Sequence, residues 1–103
     1  MRHLTPGQAR DRLADGAVLL DVREPVELEL ASLPDALHIP LARLPQHLDD
    51  LPRDRPLIVM CHHGVRSAMA ADFLERSGFT DVSNLEGGID AWSQTVDERI
   101  PRY

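Results

Sequence analysis

The run Cys61-His62-His63-Gly64-Val65-Arg66-Ser67 concentrates the residue types that do chemistry. Cys61 is the only cysteine, so it has no internal disulfide partner; its thiol is either buried and inert or activated as a nucleophile. Its neighbourhood decides for activation. The run follows the apolar stretch Leu57-Ile58-Val59-Met60, which has the length of a strand, and precedes an apolar pattern at helical spacing. At such a strand-to-helix turn consecutive backbone N–H groups converge on an anion, and a sulfur placed among them is favoured as the thiolate. Gly64 lets the backbone take a positive φ inside the loop. Arg66 adds a permanent cation whose fork matches a pair of sulfonate, sulfate or phosphate oxygens, although the same side chain also suits a surface ion pair. His62, His63, Gly64, Val65 and Arg66 are therefore the candidate substrate-binding residues around Cys61, with Ser67 in support.

His62 and His63 could join Cys61 as zinc ligands, but three consecutive residues rarely point at one tetrahedral centre and no fourth ligand is obvious. No metal and no cofactor are expected. The two histidines either tune the affinity for an anion or shape the loop. His3, His38 and His47 belong to no constellation, and Trp92 reads as core.

Strands and helices must hold this loop in place. Thr5-Pro6-Gly7-Gln8 carries a capping residue, a proline at the first helical position and a glutamine three residues after the cap, which announces a helix. Gly16 is the expected stop, and Ala17–Val22 follows as a short, almost wholly apolar run, the signature of a buried parallel strand. Pro25 opens a short acidic helical turn, Ala36–Pro40 reads as a brief strand, and Pro45 is expected to start a helix with Leu44, Leu48 and Leu51 on one side. Leu57–Met60 is a second central strand. Val65, Met69, Phe73, Ala70 and Leu74 repeat at helical spacing until Gly78, and a last strand over 81–85 and a last helix over 88–94 complete the pattern. Alternating strands and helices make βαβ units, a parallel sheet and helices on both faces. In such folds ligands bind beyond the carboxyl ends of the strands, and Asp21, Arg23 and Cys61 fall at that edge. Asp21 and Arg23 either brace the loop and the substrate entrance or form an ordinary ion pair.

Composition excludes several classes of function. At 103 residues the chain is expected to form one domain over 1–103, and its 43% hydrophobic and 27% charged residues describe a folded protein with a soluble surface. A net charge of −6, with all 11 basic residues arginine, lacks the footprint of a nucleic-acid binder. No apolar run approaches the roughly 20 residues of a membrane span, and the N-terminus lacks the apolar stretch of a signal peptide, so no membrane association and a cytoplasmic location are expected.

Four stretches together resemble one family. Leu20-Asp21-Val22-Arg23-Glu24, Leu33 to Pro40, the cysteine loop, and Leu85-Glu86-Gly87-Gly88-Ile89-Asp90-Ala91-Trp92 occur in the order found in rhodaneses. The resemblance implies a three-layer α/β/α domain with a parallel, roughly five-stranded sheet and a cysteine that alternates between thiol and persulfide. It also implies a small sulfur-donor anion, such as thiosulfate, and a nucleophilic acceptor that is cyanide, a thiol or a carrier protein. One stretch departs from the pattern: such domains usually carry Gly-His-Ile-Pro-Gly-Ala where this chain has Ala31-Ser32-Leu33-Pro34-Asp35-Ala36, and the loss of two glycines bears on the turn there.

Two other readings of the cysteine loop compete. Phosphatases and arsenate reductases that resemble rhodaneses place arginine six positions after cysteine, around a tetrahedral oxyanion, whereas Arg66 is five after Cys61 and the smaller ring suits a single sulfur atom. Non-catalytic rhodanese-like interaction modules commonly lack the cysteine that is present here.

Overall fold

The structure, a computed structural model, describes residues 1–103. Five parallel strands form one sheet: β1 (Arg2–Leu4), β2 (Val18–Asp21), β3 (Leu37–His38), β4 (Leu57–Met60) and β5 (Val82–Leu85), in the order β1-β5-β4-β2-β3. Helices α1 (Pro6–Ala14), α2 (Pro25–Leu30) and α3 (Val65–Arg76) connect strands, and α4 (Gly88–Thr95) follows β5. No helix is long and apolar enough to cross a membrane.

The central strand β4 is apolar on both sides because both sides are covered. Leu57, Val59 and Cys61 point into a core shared with Ala70, Ala71 and Leu74 of α3, while the alternate residues Ile58 and Met60 point into a core shared with Ala9 of α1 and Ile89 and Trp92 of α4. This is the three-layer arrangement expected from the sequence. Thr5 caps α1 as anticipated: its hydroxyl accepts from the Gln8 amide at 3.2 Å, and the Gln8 side chain accepts from the Thr5 amide at 3.0 Å.

Three expectations need correction. The edge strand β1 was not foreseen, since three residues beside the terminus carry no period; its pairing with β5 defines it. The helix expected to begin at Pro45 is instead two 3-10 turns, Leu41–Gln46 and Leu48–Asp50, with Pro45 inside the first. The apolar spacing was sound, because Leu44 and Leu51 are buried against the α3 face and Leu48 packs on it. The connection closes by short i to i+3 bonds such as His47 N–H to the Leu44 carbonyl at 3.0 Å, a pattern suited to short connecting pieces. The brief strand expected over 36–40 is only Leu37–His38. In the departing stretch, Asp35 stands where a glycine is usual and adopts the left-handed conformation, φ 64°. Aspartate visits that region more readily than most residues, so the turn survives the loss of glycine.

The segment after α4 folds back. The Ser93 hydroxyl donates to the Ile100 carbonyl, the Arg102 guanidinium meets Asp90 at 2.9 Å, and Ile100 and Tyr103 pack on the α1 and α4 core. This return brings Tyr103 to the carboxyl edge of the sheet.

Candidate functional site

Cys61 leaves β4 at the carboxyl edge of the sheet, buried, with only 1% of its surface exposed. Two donors reach its sulfur: the Gly64 amide at 3.0 Å and the Ser67 hydroxyl at 3.3 Å. The loop turns inward because a second helix holds it from outside. The first turn of α4 points the Ile89 and Asp90 amides at the carbonyls of Cys61 and His62, at 2.9 and 3.1 Å. With these carbonyls facing outward to a helix N-terminus, the loop is free to direct Gly64 N–H at the sulfur. The geometry requires two glycines. Gly64 sits at φ 103°, and Gly88, at φ 62°, lies so close that a Cβ there would be 2.3 Å from the His62 carbonyl oxygen and 2.5 Å from that of Cys61.

Arg66 is positioned otherwise than expected. Its fork does not stand open to an incoming anion but grips Glu27 of α2, at 2.6 and 2.8 Å, so the ion-pair alternative describes its present state. Glu27 also accepts from the Tyr103 hydroxyl at 2.7 Å, and Tyr103 in turn accepts from Arg23 at 2.8 Å. Arg23 is fully buried and forms a fork on Asp21, at 2.8 and 3.0 Å, while also donating to the Ala31 carbonyl at 2.9 Å. Asp21 and Arg23 thus do not touch the cysteine loop. Arg23 holds the end of α2 through the Ala31 carbonyl and is linked to Arg66 of the loop through Tyr103 and Glu27. Tyr103 closes this network from above, its ring 3.8 Å from that of His62, which stacks in turn on His63. Clamped between two rings, His62 keeps its Nε2 buried without a hydrogen-bond partner.

His62, His63 and Asp90 bring one ligand atom each within 4.8 Å of one another. The imidazoles are stacked with planes 28° apart, Asp90 is already engaged by Arg102 and Gln94, and the three residues make no closed four-ligand site.

Residues 5–95 match the Rhodanese-like domain family. The chain belongs to that family. This rhodanese-like domain is 36% identical over 97 residues to the thiosulfate sulfurtransferase GlpE of Pseudomonas syringae, covering 94% of this chain and 92% of the relative. It is 39% identical over 85 residues to a sulfurtransferase of Allochromatium vinosum, covering 81% and 79% of the two chains. Among solved structures, a rhodanese-related protein of Thermoplasma volcanium superposes with a TM-score of 0.86 at 33% identity, covering 93% of this chain and 94% of the other. In the rhodanese-like domain described here, sequence reasoning located the loop but missed Glu27, Asn84 and Tyr103. Glu27 and Tyr103 are 76 residues apart and meet only in the fold. Asn84 carried one available signal, an amide side chain within a short strand between Val82 and Leu85; its Oδ1 lies 2.5 Å from the Ser67 hydroxyl.

The hydrogen-bonded fork of Arg66 holds the Glu27 carboxyl at about 2, against an ordinary value of 4.5, with Tyr103 and the Glu24 amide adding to the effect. A depressed carboxyl pKa contributes stability in full above the unfolded value and loses it as pH falls through the folded one. The rhodanese-like domain is therefore expected to weaken between about pH 4.5 and about pH 2 as Glu27 takes up its proton. Glu27→Gln should lower the urea midpoint at neutral pH, and the difference between the two proteins should shrink across that window. A constant difference down to pH 2 would contradict the ion pair as the source.

Proposed function

We propose that this chain, acting as one domain over residues 1–103, is a thiosulfate sulfurtransferase whose Cys61 carries the transferred sulfur. The observation that carries the reading is the sulfur of Cys61 at the head of α3, hydrogen-bonded by the Gly64 amide at 3.0 Å. The names of the sulfurtransferase relatives support the same activity.

The mechanism is a double displacement. The Cys61 thiolate attacks the outer sulfur of thiosulfate, a new S–S bond forms as the donor's own S–S bond breaks, and sulfite departs with the electron pair. A nucleophilic acceptor then attacks the outer sulfur of the persulfide and regenerates the thiolate. Cyanide leaves as thiocyanate in the assay; a thiol or a carrier protein takes the sulfur in the cell. The Gly64 amide and the Ser67 hydroxyl stabilise the thiolate charge on the Cys61 sulfur before the first step and again as it returns in the second. His62, His63, Gly64, Val65 and Arg66 form the rim over which the donor enters. The donor's oxygens compete with Glu27 for the Arg66 fork, so Arg66 steadies the departing sulfite while Asp21, Arg23 and Glu27 keep α2 in place.

A phosphatase is the rival enzyme class. The burial of Cys61 and the ring closed by Arg66 five positions later suit delivery of one sulfur atom better than an aryl phosphate. Turnover of thiosulfate with cyanide is expected to exceed hydrolysis of an aryl phosphate by at least about a hundredfold at equal enzyme concentration, a difference of about 2.7 kcal/mol in barrier. Dominant phosphate hydrolysis that disappears in Cys61→Ser would overturn the assignment.

A further inference from the structure

The Ser67 hydroxyl has one proton and stands between two acceptors, the Cys61 sulfur at 3.3 Å and the Asn84 Oδ1 at 2.5 Å. It cannot serve both. Ser67 is fully buried and Asn84 is 3% exposed, so the pair is shut off from bulk solvent. The far end of the Asn84 amide, Nδ2, lies 3.1 Å from Nδ1 of His3, which is exposed on the edge strand β1. Strand register accounts for the row: His3 pairs with Asn84, Asn84 pairs with Val59, and Cys61 lies two residues beyond Val59 on the same face. A buried amide in a strand interior is costly unless both of its ends are matched. Here the matching runs from solvent to the reactive sulfur.

We infer that His3 and Asn84 are positioning residues for Cys61, setting through Ser67 whether the sulfur receives or gives a hydrogen bond. In one direction the thiol S–H donates to Ser67 Oγ, Ser67 O–H donates to Asn84 Oδ1, and Asn84 Nδ2 donates to an unprotonated His3 Nδ1. In the other, His3 Nδ1–H donates to Asn84 Oδ1 after the amide has rotated by half a turn, Asn84 Nδ2 donates to Ser67 Oγ, and Ser67 O–H donates to the thiolate. The two states hold the same number of protons and differ in the place of one, which sulfur releases to solvent and His3 Nδ1 takes up from it; no covalent bond between heavy atoms changes. Only the second state suits a nucleophile. An edge histidine thereby biases a buried sulfur across the width of two strands.

The neighbouring charges are otherwise engaged. Arg66, which faces the sulfur, is locked on Glu27, and the Glu27 carboxylate also takes Tyr103. Around β1, Arg2 is paired with Asp81 and the terminal amine with Glu75. His62 and His63 stack beside the loop, with His63 Nε2 3.9 Å from Asp90.

This inference rests on Cys61 being the reacting group, but its test reads the charge of the sulfur whether or not sulfur is transferred, so the two readings fail separately. Thiolate formation is followed as the ultraviolet absorbance difference between each protein and its own Cys61→Ser counterpart, across a pH series. His3→Ala should move the thiolate midpoint upward, lowering the thiolate fraction below the midpoint by about threefold, and Ser67→Ala should lower it by about tenfold, the range of one hydrogen bond to a charged acceptor. In the Ser67→Ala background, His3→Ala should have no further effect, because the chain is already cut. Should Ser67→Ala fail to fold, Asn84→Leu cuts the chain at the next member and serves the same comparison. An unmoved midpoint in His3→Ala, or an equal shift in the intact and cut backgrounds, would overturn the inference, the latter by assigning the effect to charge acting through space.

Discussion

Gly88→Ala is expected to reduce sulfur transfer by at least about a hundredfold, the loss that follows a misplacement of roughly 1 Å at a reacting centre. The added methyl has no room. It would lie 2.3 Å from the His62 carbonyl oxygen and 2.5 Å from that of Cys61, and all of these neighbours are backbone. A flexible side chain could swing aside, but here the loop itself must retreat, and retreat breaks the Ile89 and Asp90 bonds that hold the Cys61 and His62 carbonyls outward. The left-handed φ of 62° adds a cost of about 1–2 kcal/mol for any residue with a Cβ. Activity should therefore fall far more than stability. Gly7→Ala is the matching control: nothing lies within 4 Å of its added methyl, so it should leave turnover unchanged and stabilise α1 by about 0.5–1 kcal/mol. Near-normal turnover in Gly88→Ala, measured with thiosulfate and cyanide, would mean that the loop is not held by α4.

Arg23→Met should cost about 3–5 kcal/mol of folding stability, read from the urea midpoint and slope at neutral pH. Arg23 and Asp21 are 0% and 1% exposed, and removing the guanidinium strands the carboxylate in the core. A domain of this size holds about 5–15 kcal/mol in all, so the loss is a large fraction of the total. The same change frees the Ala31 carbonyl and the Tyr103 hydroxyl, loosening α2 and the tail together. The double variant Asp21→Leu, Arg23→Met should recover much of the loss, because a matched apolar pair has no stranded charge. A single variant as stable as the wild type would show that the pair contributes nothing to holding α2.

Much of this architecture was legible in the residues because one local cause produced each feature. Leu57–Met60 is apolar on both faces, which only a covered parallel strand requires, and the Cys61 to Ser67 loop follows directly from it. The Thr5 cap and the glycine stops carry local rules that tertiary structure did not override. What could not be read depends on distant partners. β1 exists because β5 accepts it, and no period marks three residues. The free fork expected of Arg66 met Glu27 across 39 positions, and the partners of Tyr103, Glu27 and Arg23, lie about three quarters of the chain away. His3 looked isolated for the same reason: the register of two strands, which sequence does not display, sets it beside Asn84. Of the alternatives left open for Asp21 and Arg23, the structure shows the ion pair, with Arg23 also bonded to the Ala31 carbonyl at the end of α2.

The central claim is that Cys61 carries sulfur, and the intact mass of the protein tests it most directly. After incubation with thiosulfate and removal of excess donor, the wild type should gain the mass of one sulfur atom, lose it on addition of cyanide, and regain it in a second cycle. Cys61→Ser should show no gain at any stage, since the chain has no other cysteine to form a persulfide. An unchanged wild-type mass, under conditions that load a control sulfurtransferase, or an equal gain in Cys61→Ser, would contradict the account.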